Sequence, residues 1–151
     1  MSENSDWREV TINAFLRVLL NEVSVENVDK QGFLVYLKIA WDKLVLKARK
    51  IRIVGIIEEI EFFRNGFRFT VSDGSDKVVV RGWREHMGLV EDLDLNEGDV
   101  VEVFGYVKVS YENEIYIVPF IIVKHEDPSF MVEWAKRVEE DRMHLLRIVN
   151  A

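Results

Sequence analysis

Residues 50–84, KIRIVGIIEEIEFFRNGFRFTVSDGSDKVVVRGWR, constrain the fold more than any other stretch of the chain. Three strand-like runs follow one another: Lys50 to Phe62, Phe67 to Ser72 and Lys77 to Arg84. Only two compact turn signals separate them, Arg64-Asn65-Gly66 and Asp73-Gly74-Ser75-Asp76. Runs of β-branched and aromatic residues bounded by Gly, Asn and Asp read as strands joined by tight turns. In the first run Ile51, Ile53, Gly55 and Ile57 share one face, and Arg52, Val54, Ile56 and Glu58 share the other. Both faces are apolar at the centre, so this strand is expected to be covered on both sides. Gly55 inside it predicts a bend or bulge, as a small closed barrel requires. Phe67, Phe69 and Val71 oppose Arg68, Thr70 and Ser72. Val78, Val80 and Gly82 oppose Val79, Arg81 and Trp83. A core face and a polar–aromatic face result.

The chain beyond completes the pattern. His86 to Leu95 carries Met87, Leu89, Val90 and Leu93 and reads as a short helix. Asn96-Glu97-Gly98-Asp99 reads as a turn. Val100 to Val109 is a strand with Val101, Val103, Gly105 and Val107 inward and Glu102, Phe104, Tyr106 and Lys108 outward. Ser110 to Glu114 is a hairpin loop carrying Tyr111. Ile115 to Val123 is a fifth strand, in which Pro119 needs an open or edge position. Asp127 caps a helix that tolerates Pro128 at its start. Phe130, Met131, Trp134, Ala135 and Val138 form an apolar stripe that Met143, Leu145, Leu146, Ile148 and Val149 continue. A helix over 128–148 spans about 31 Å, longer than the end of a small barrel.

Five strands with a helix between the third and fourth is the order of an OB-fold. The expected architecture is an all-β core: a five-stranded OB-fold barrel over 48–125 with an N-terminal extension and a C-terminal α-helix. The extension, 7–47, is expected to pack on the barrel, residues 1–6 to form a disordered tail, and 127–149 to be an interaction helix. Within 7–25, Ile12, Phe15, Leu16, Leu19, Leu20 and Val23 fit helical spacing, which predicts a strand-like start followed by a helix. Ser24 to Gly32 reads as a loop. Phe33 to Lys47 reads as a hairpin about Asp42-Lys43.

Composition narrows the function. Zero cysteines exclude disulfides, thiolate metal sites and thiol nucleophiles. No apolar run approaches the roughly 20 residues of a membrane helix, so no membrane association is expected. Met1 to Trp7 lacks the regions of a signal peptide, and a cytoplasmic, nucleoid-associated protein is expected. His86, His125 and His144 share no motif, and no Walker loop, zinc spacing or nucleophile signature is present. Neither catalysis nor a cofactor is expected. The net charge of −7 argues against unspecific nucleic-acid binding. Its distribution differs: residues 47–84 carry nine Lys and Arg against five Asp and Glu, whereas 85–102 carry seven acidic side chains and no Lys or Arg. A basic patch on an acidic protein can still bind phosphates.

An OB-fold binds nucleic acid across strands 2 and 3 and in the loops joining strands 1–2 and 4–5, here 62–66 and 110–114. Aromatic platforms take the bases and cations take the backbone. The candidates are Trp83, Tyr111, Tyr106 and Phe63, with Arg64, Arg68, Arg81, Arg84 and Lys108 around them. A structural OB subunit with little direct DNA contact, or an RNA-binding module, are the competing readings.

The segments IRIVGIIEEIE, FRFTVSDGSDKVVVRGW and LNEGDVVEVFGYVKVSYENEIYIVPFIIVKHED resemble the middle subunit of replication protein A and its archaeal small-subunit counterparts. The resemblance covers about 50–145 and, more loosely, REVTIN and KLVLKARK. It implies that Trp83 and Tyr111 stack on bases of single-stranded DNA. It also implies that the helix from Pro128 to Ile148 joins a bundle with other subunits, which makes Phe130, Met131, Trp134, Ala135, Val138 and Leu145 the expected partner contacts. Telomere-capping relatives share the domain, so the resemblance does not choose between replication and end protection. The long phosphorylated N-terminal tail and the C-terminal winged helix of the eukaryotic pattern are not read in this sequence. The layout is similar to the archaeal one, in keeping with a Glu- and Lys-rich composition that has a single Gln.

Overall fold

The computed structural model describes residues 7–150; the tail expected over 1–6 lies outside them. Its strands are β1 (Arg8–Ile12), β2 (Leu16–Arg17), β3 (Val28–Gln31), β4 (Leu34–Trp41), β5 (Leu44–Ala48), β6 (Lys50–Phe63), β7 (Gly66–Ser72), β8 (Lys77–Trp83), β9 (Val100–Val109) and β10 (Ile115–His125). Two helices follow, α1 (Ser129–Val132) and α2 (Trp134–Val149).

Strands β6, β7, β8, β10 and β9 close into a barrel, because β6 pairs with β7 through its second half and with β9 through its first. This is the strand order of an OB-fold. The inward residues are those the alternation predicts: Ile51, Ile53, Ile57, Phe67, Phe69, Val71, Val80, Val103 and Ile117 are almost wholly buried. Gly55 sits where β6 passes from one partner to the other. A Cβ there would lie 2.5 Å from Val71 Cγ1 and 2.7 Å from the Ser72 carbonyl oxygen, so only glycine lets the strands approach. The register shift itself falls slightly later, between Ile57 and Glu59. Pro119 lies at a second register shift, between Pro119 and Ile121, beyond the single bridge Ile117–Val80 that joins β10 to β8.

Several elements differ from the sequence reading. No α-helix forms over 7–25; the helical content there is a single 3₁₀ turn, Leu20–Glu22, with a second beginning at Val25. Leu16, Val18 and Leu20 are buried at alternate positions, and the Val18 N–H donates to the Arg52 carbonyl at 3.1 Å. β2 therefore continues as an extended segment along β6, on the edge that β7 leaves free. The helical spacing was a coincidence of a short run that satisfies both periods. Within the expected loop 24–32, Val28–Gln31 instead forms β3. The hairpin about Asp42 and Lys43 is present, both residues having positive φ. The segment between β8 and β9 is a 3₁₀ helix, Arg84–Leu89, followed by turns, and Val90 and Leu95 are buried in the core.

Strands β1, β5, β4 and β3 form a second, four-stranded sheet. Leu37, Ile39, Leu44, Leu46 and Ala48 from this sheet share one hydrophobic cluster with the barrel residues. The C-terminal helix is broken at Glu133 into α1 and α2. Asp127 Oδ1 accepts the Ser129 N–H at 2.9 Å, the cap its position predicts.

Candidate nucleic-acid interface

The outer face of β8 alternates Val79, Arg81 and Trp83, and its two ends differ. At the Lys77 end the segment Leu20–Val25 faces Val79 across a cleft that Asp76, Lys77 and Glu114 also line, and Thr70 and Ser72 of β7 are buried. The polar face expected along β7 is therefore open only at Arg68. At the Trp83 end a groove remains, lined by Phe63, Asn65, Arg68, Arg81, Gly82 and Trp83. Strand register explains the assembly. Phe63 pairs with Gly66 and Gly66 with Trp83, while Glu61 pairs with Arg68 and Arg68 with Arg81. Gly82 leaves room for the Phe67 ring, which a Cβ at that position would overlap.

Trp83 is 38% exposed and Phe63 51%, so two aromatic faces flank the groove. The Trp83 N–H donates to His86 Nδ1 at 2.9 Å, which fixes the strand end where the 3₁₀ helix begins. The Arg81 guanidinium stands 5.3 Å from the Trp83 ring centre and 5.6 Å from that of Tyr116. Trp83 and Tyr116 themselves lie 6.1 Å apart. Arg68 reaches Glu61 only at 4.0 Å, where both side chains face solvent. At such exposure the ion pair contributes little and leaves the guanidinium available to another anion. Arg64, in the β6–β7 turn, and Arg84, at the start of the 3₁₀ helix, are exposed at either side.

The other candidates are not gathered with Trp83. Tyr111 is fully exposed at the tip of the β9–β10 loop. The aromatic beside Trp83 is Tyr116, which the sequence reading did not single out although the alternation of Ile115, Tyr116 and Ile117 turns it outward. Lys108 is the register partner of Tyr116. Tyr106 belongs to a separate cluster with Phe15, Phe104 and Phe120. Among the described residues no group of three or more His, Asp or Glu side chains converges to hold a metal ion, and no helix is long and apolar enough to cross a membrane.

The expected partner contacts lie mostly against this chain itself. Trp134 and Val138 are 4% and 2% exposed, packed with Val54 of β6. Trp134 Nε1–H donates to the Val18 carbonyl at 2.9 Å. Leu145, Leu146 and Val149 pack against the main hydrophobic cluster, Met131 is half-buried beside Trp134, and Phe130 stacks on His125 at 3.7 Å. Of the six residues only Ala135 is exposed. Two ion pairs reinforce the docking, Arg17–Asp141 at 3.0 Å and the bidentate Arg142–Glu22 pair at 2.6 and 2.7 Å. Most of the apolar stripe thus faces this chain's own N-terminal extension and barrel, whereas Met143 and Ile148, which the stripe was expected to include, are exposed. The opposite face presents Val132, Lys136, Glu139, Met143 and Arg147.

Comparison with known proteins agrees with the architecture. No protein-family model matches the chain. The S. pombe Stn1–Ten1 complex contains a chain that superposes with a TM-score of 0.69 at 19% identity, covering 90% of this chain and 96% of that one. A replication protein A heterotrimer bound to single-stranded DNA contains another, with a TM-score of 0.61 at 14% identity, covering 87% and 98%. At such identities the likeness establishes the fold, that of OB subunits in heteromeric complexes. A curated relative from Thermofilum pendens, an uncharacterized 18.7 kDa protein in the ribosomal RNA operon, is 34% identical over 153 residues, covering 99% of this chain and 86% of its own. The chain belongs to the family of that Thermofilum pendens protein, and its fold is the OB-fold of the replication protein A and Stn1–Ten1 subunits.

Proposed function

We propose that this protein is a single-stranded-DNA-binding OB subunit of a replication protein A-like complex serving DNA replication, repair and recombination in an archaeal cell. It is a binding protein and not an enzyme. The observation that carries this reading is Trp83, exposed at the open end of the groove with Arg81 held beside it and Phe63 opposite. A base stacked on Trp83 would gain roughly 1–3 kcal/mol, and its phosphates would meet Arg68, Arg81, Arg64 and Arg84. The acidic net charge confines binding to locally basic surface such as this patch. Four phosphate contacts predict a salt slope near −3, at about 0.7 per phosphate for single strands.

Assembly with other subunits would use surfaces other than the buried stripe of α2, such as the face bearing Val132 and Met143. A purely structural subunit remains the second reading, favoured by the net charge of −7. The name of the curated relative, which places it in a ribosomal RNA operon, motivates an RNA arm in the experiment. The full chain is titrated with fluorescein-labelled oligo(dT), oligo(U) and a structured RNA, with wild type beside Trp83→Ala. Tighter binding of oligo(dT), weakened about 5- to 150-fold by the substitution, supports the proposal. Binding that is unchanged in Trp83→Ala, or absent in the wild type, overturns it in favour of the structural reading. Preference for structured RNA overturns it in favour of an RNA-binding module.

A further inference from the structure

We infer that a bound single strand turns at Trp83 and continues over the outer face of β10 and β9, where Tyr116, Tyr106 and Phe120, flanked by Lys108 and Lys50, form a second segment of the interface. The inference rests on the single-strand-binding reading above and specifies its path. Register makes the surface continuous. The parallel Ile117–Val80 bridge brings the outer faces of β10 and β8 together, with the Arg81 guanidinium 5.6 Å from the Tyr116 ring centre; Tyr116 pairs with Lys108, Val118 with Tyr106, and Tyr106 with Lys50 of β6. The rings form two groups along the strip, Trp83 and Tyr116 at 6.1 Å, and Tyr106 and Phe120 at 6.5 Å with Phe15 stacked on Phe120 at 5.7 Å; Lys108 and Val118 lie between the groups. Lys50 Nζ lies 5.5 Å from the Phe15 ring centre. The register shift after Pro119 leaves Phe120 52% exposed.

Charge distinguishes this path from the alternative. The outward residues of the strip, Lys50, Tyr106, Lys108, Tyr116, Val118 and Phe120, include no carboxylate. A strand running instead along β8 would enter the cleft beside Leu20–Val25, which carries Asp76 and Glu114. Its lysine, Lys77, is held by Glu58 at 2.8 Å. Phosphates are repelled there and attracted over β10 and β9. Aromatic faces with interspersed cations are the chemistry of a sequence-tolerant single-strand platform.

The test compares a short oligo(dT) of about four nucleotides, enough for the Trp83 groove, with one of about twelve, using the full chain and fluorescence anisotropy. Phe120→Ala and, separately, the charge reversal Lys50→Glu are expected to weaken the long oligonucleotide about five- to tenfold while leaving the short one within about twofold. Trp83→Ala weakens both. A long oligonucleotide carrying 4-thiothymidine is expected to cross-link to the 115–121 peptide. If Trp83→Ala weakens binding but neither Phe120→Ala nor Lys50→Glu changes the long oligonucleotide, the path is overturned and the Trp83 site stands. If neither oligonucleotide binds wild type, both fall. Loss of a co-purifying protein in Phe120→Ala or Lys50→Glu, with oligonucleotide affinity intact, overturns the path in favour of a protein-covered face.

Discussion

Replacing Trp134 by alanine separates a helix that docks on its own barrel from one that docks on a partner. The indole is 4% exposed, packs with Val54 and Val138, and donates to the Val18 carbonyl. Truncating a buried tryptophan removes transfer free energy and leaves a cavity, at a cost of about 3–5 kcal/mol. The orphaned Val18 carbonyl contributes within that figure. For a chain of this size each kcal/mol corresponds to about 2–4 °C in Tm, so the isolated Trp134→Ala protein is expected to melt roughly 6–20 °C below wild type. Trp134→Phe keeps most of the volume and loses the hydrogen bond, for about 1–2 kcal/mol. Val132→Ala, on a side chain 82% exposed on the opposite face, is expected to stay within about 0.5 kcal/mol. Calorimetry on the isolated chain decides. An unchanged Tm in Trp134→Ala, together with loss of co-purifying subunits, would refute the intramolecular docking and restore the partner assignment.

Further predictions concern the same framework. Arg142→Ala leaves Glu22 without its buried counter-charge and is expected to cost about 3–5 kcal/mol in urea unfolding, whereas Arg142→Met with Glu22→Leu recovers most of it. Gly55→Ala forces contact with Val71 and the Ser72 carbonyl and is expected to destabilise by about 1–3 kcal/mol in the same assay. Backbone hydrogen bonding from Ser129 holds the Asp127 carboxyl below its ordinary range. Its contribution is therefore complete above the unfolded-state value and is lost as pH falls through the lower folded-state value. Thermal melts from pH 7 into the acid range should show wild type and Asp127→Asn converging at the acid end.

The barrel was legible because its strands alternate cleanly: Ile51, Ile53 and Ile57, then Phe67, Phe69 and Val71, then Val78 and Val80 assign their own core faces. Periodicity failed over Leu16 to Leu20, where five residues satisfy both a strand and a helix and the decision lies with the free edge of β6. The stripe on α2 was equally visible, but amphipathicity says only that a face is covered. What covers it, Val18 and Val54, lies far away in sequence. At the candidate site Trp83 and Arg81 share a face by alternation alone. Tyr116 joins them only through the parallel bridge between β8 and β10, a long-range pairing that no local pattern encodes. Tyr111 drew attention as a loop aromatic and stands apart from that group.

The central claim is that single-stranded nucleic acid binds at the open end of the β7–β8 face. Its most direct test is a ¹H–¹⁵N titration of the full chain with a short oligo(dT), following the Trp83 indole and the backbone amides of 62–68 and 81–84. The account predicts saturable shifts at Trp83, Arg81, Arg68 and Phe63, with the amides of β3 and the α2 interior unmoved. Shifts confined to the Leu20–Val25 cleft, or no shifts at saturating oligonucleotide, would contradict it.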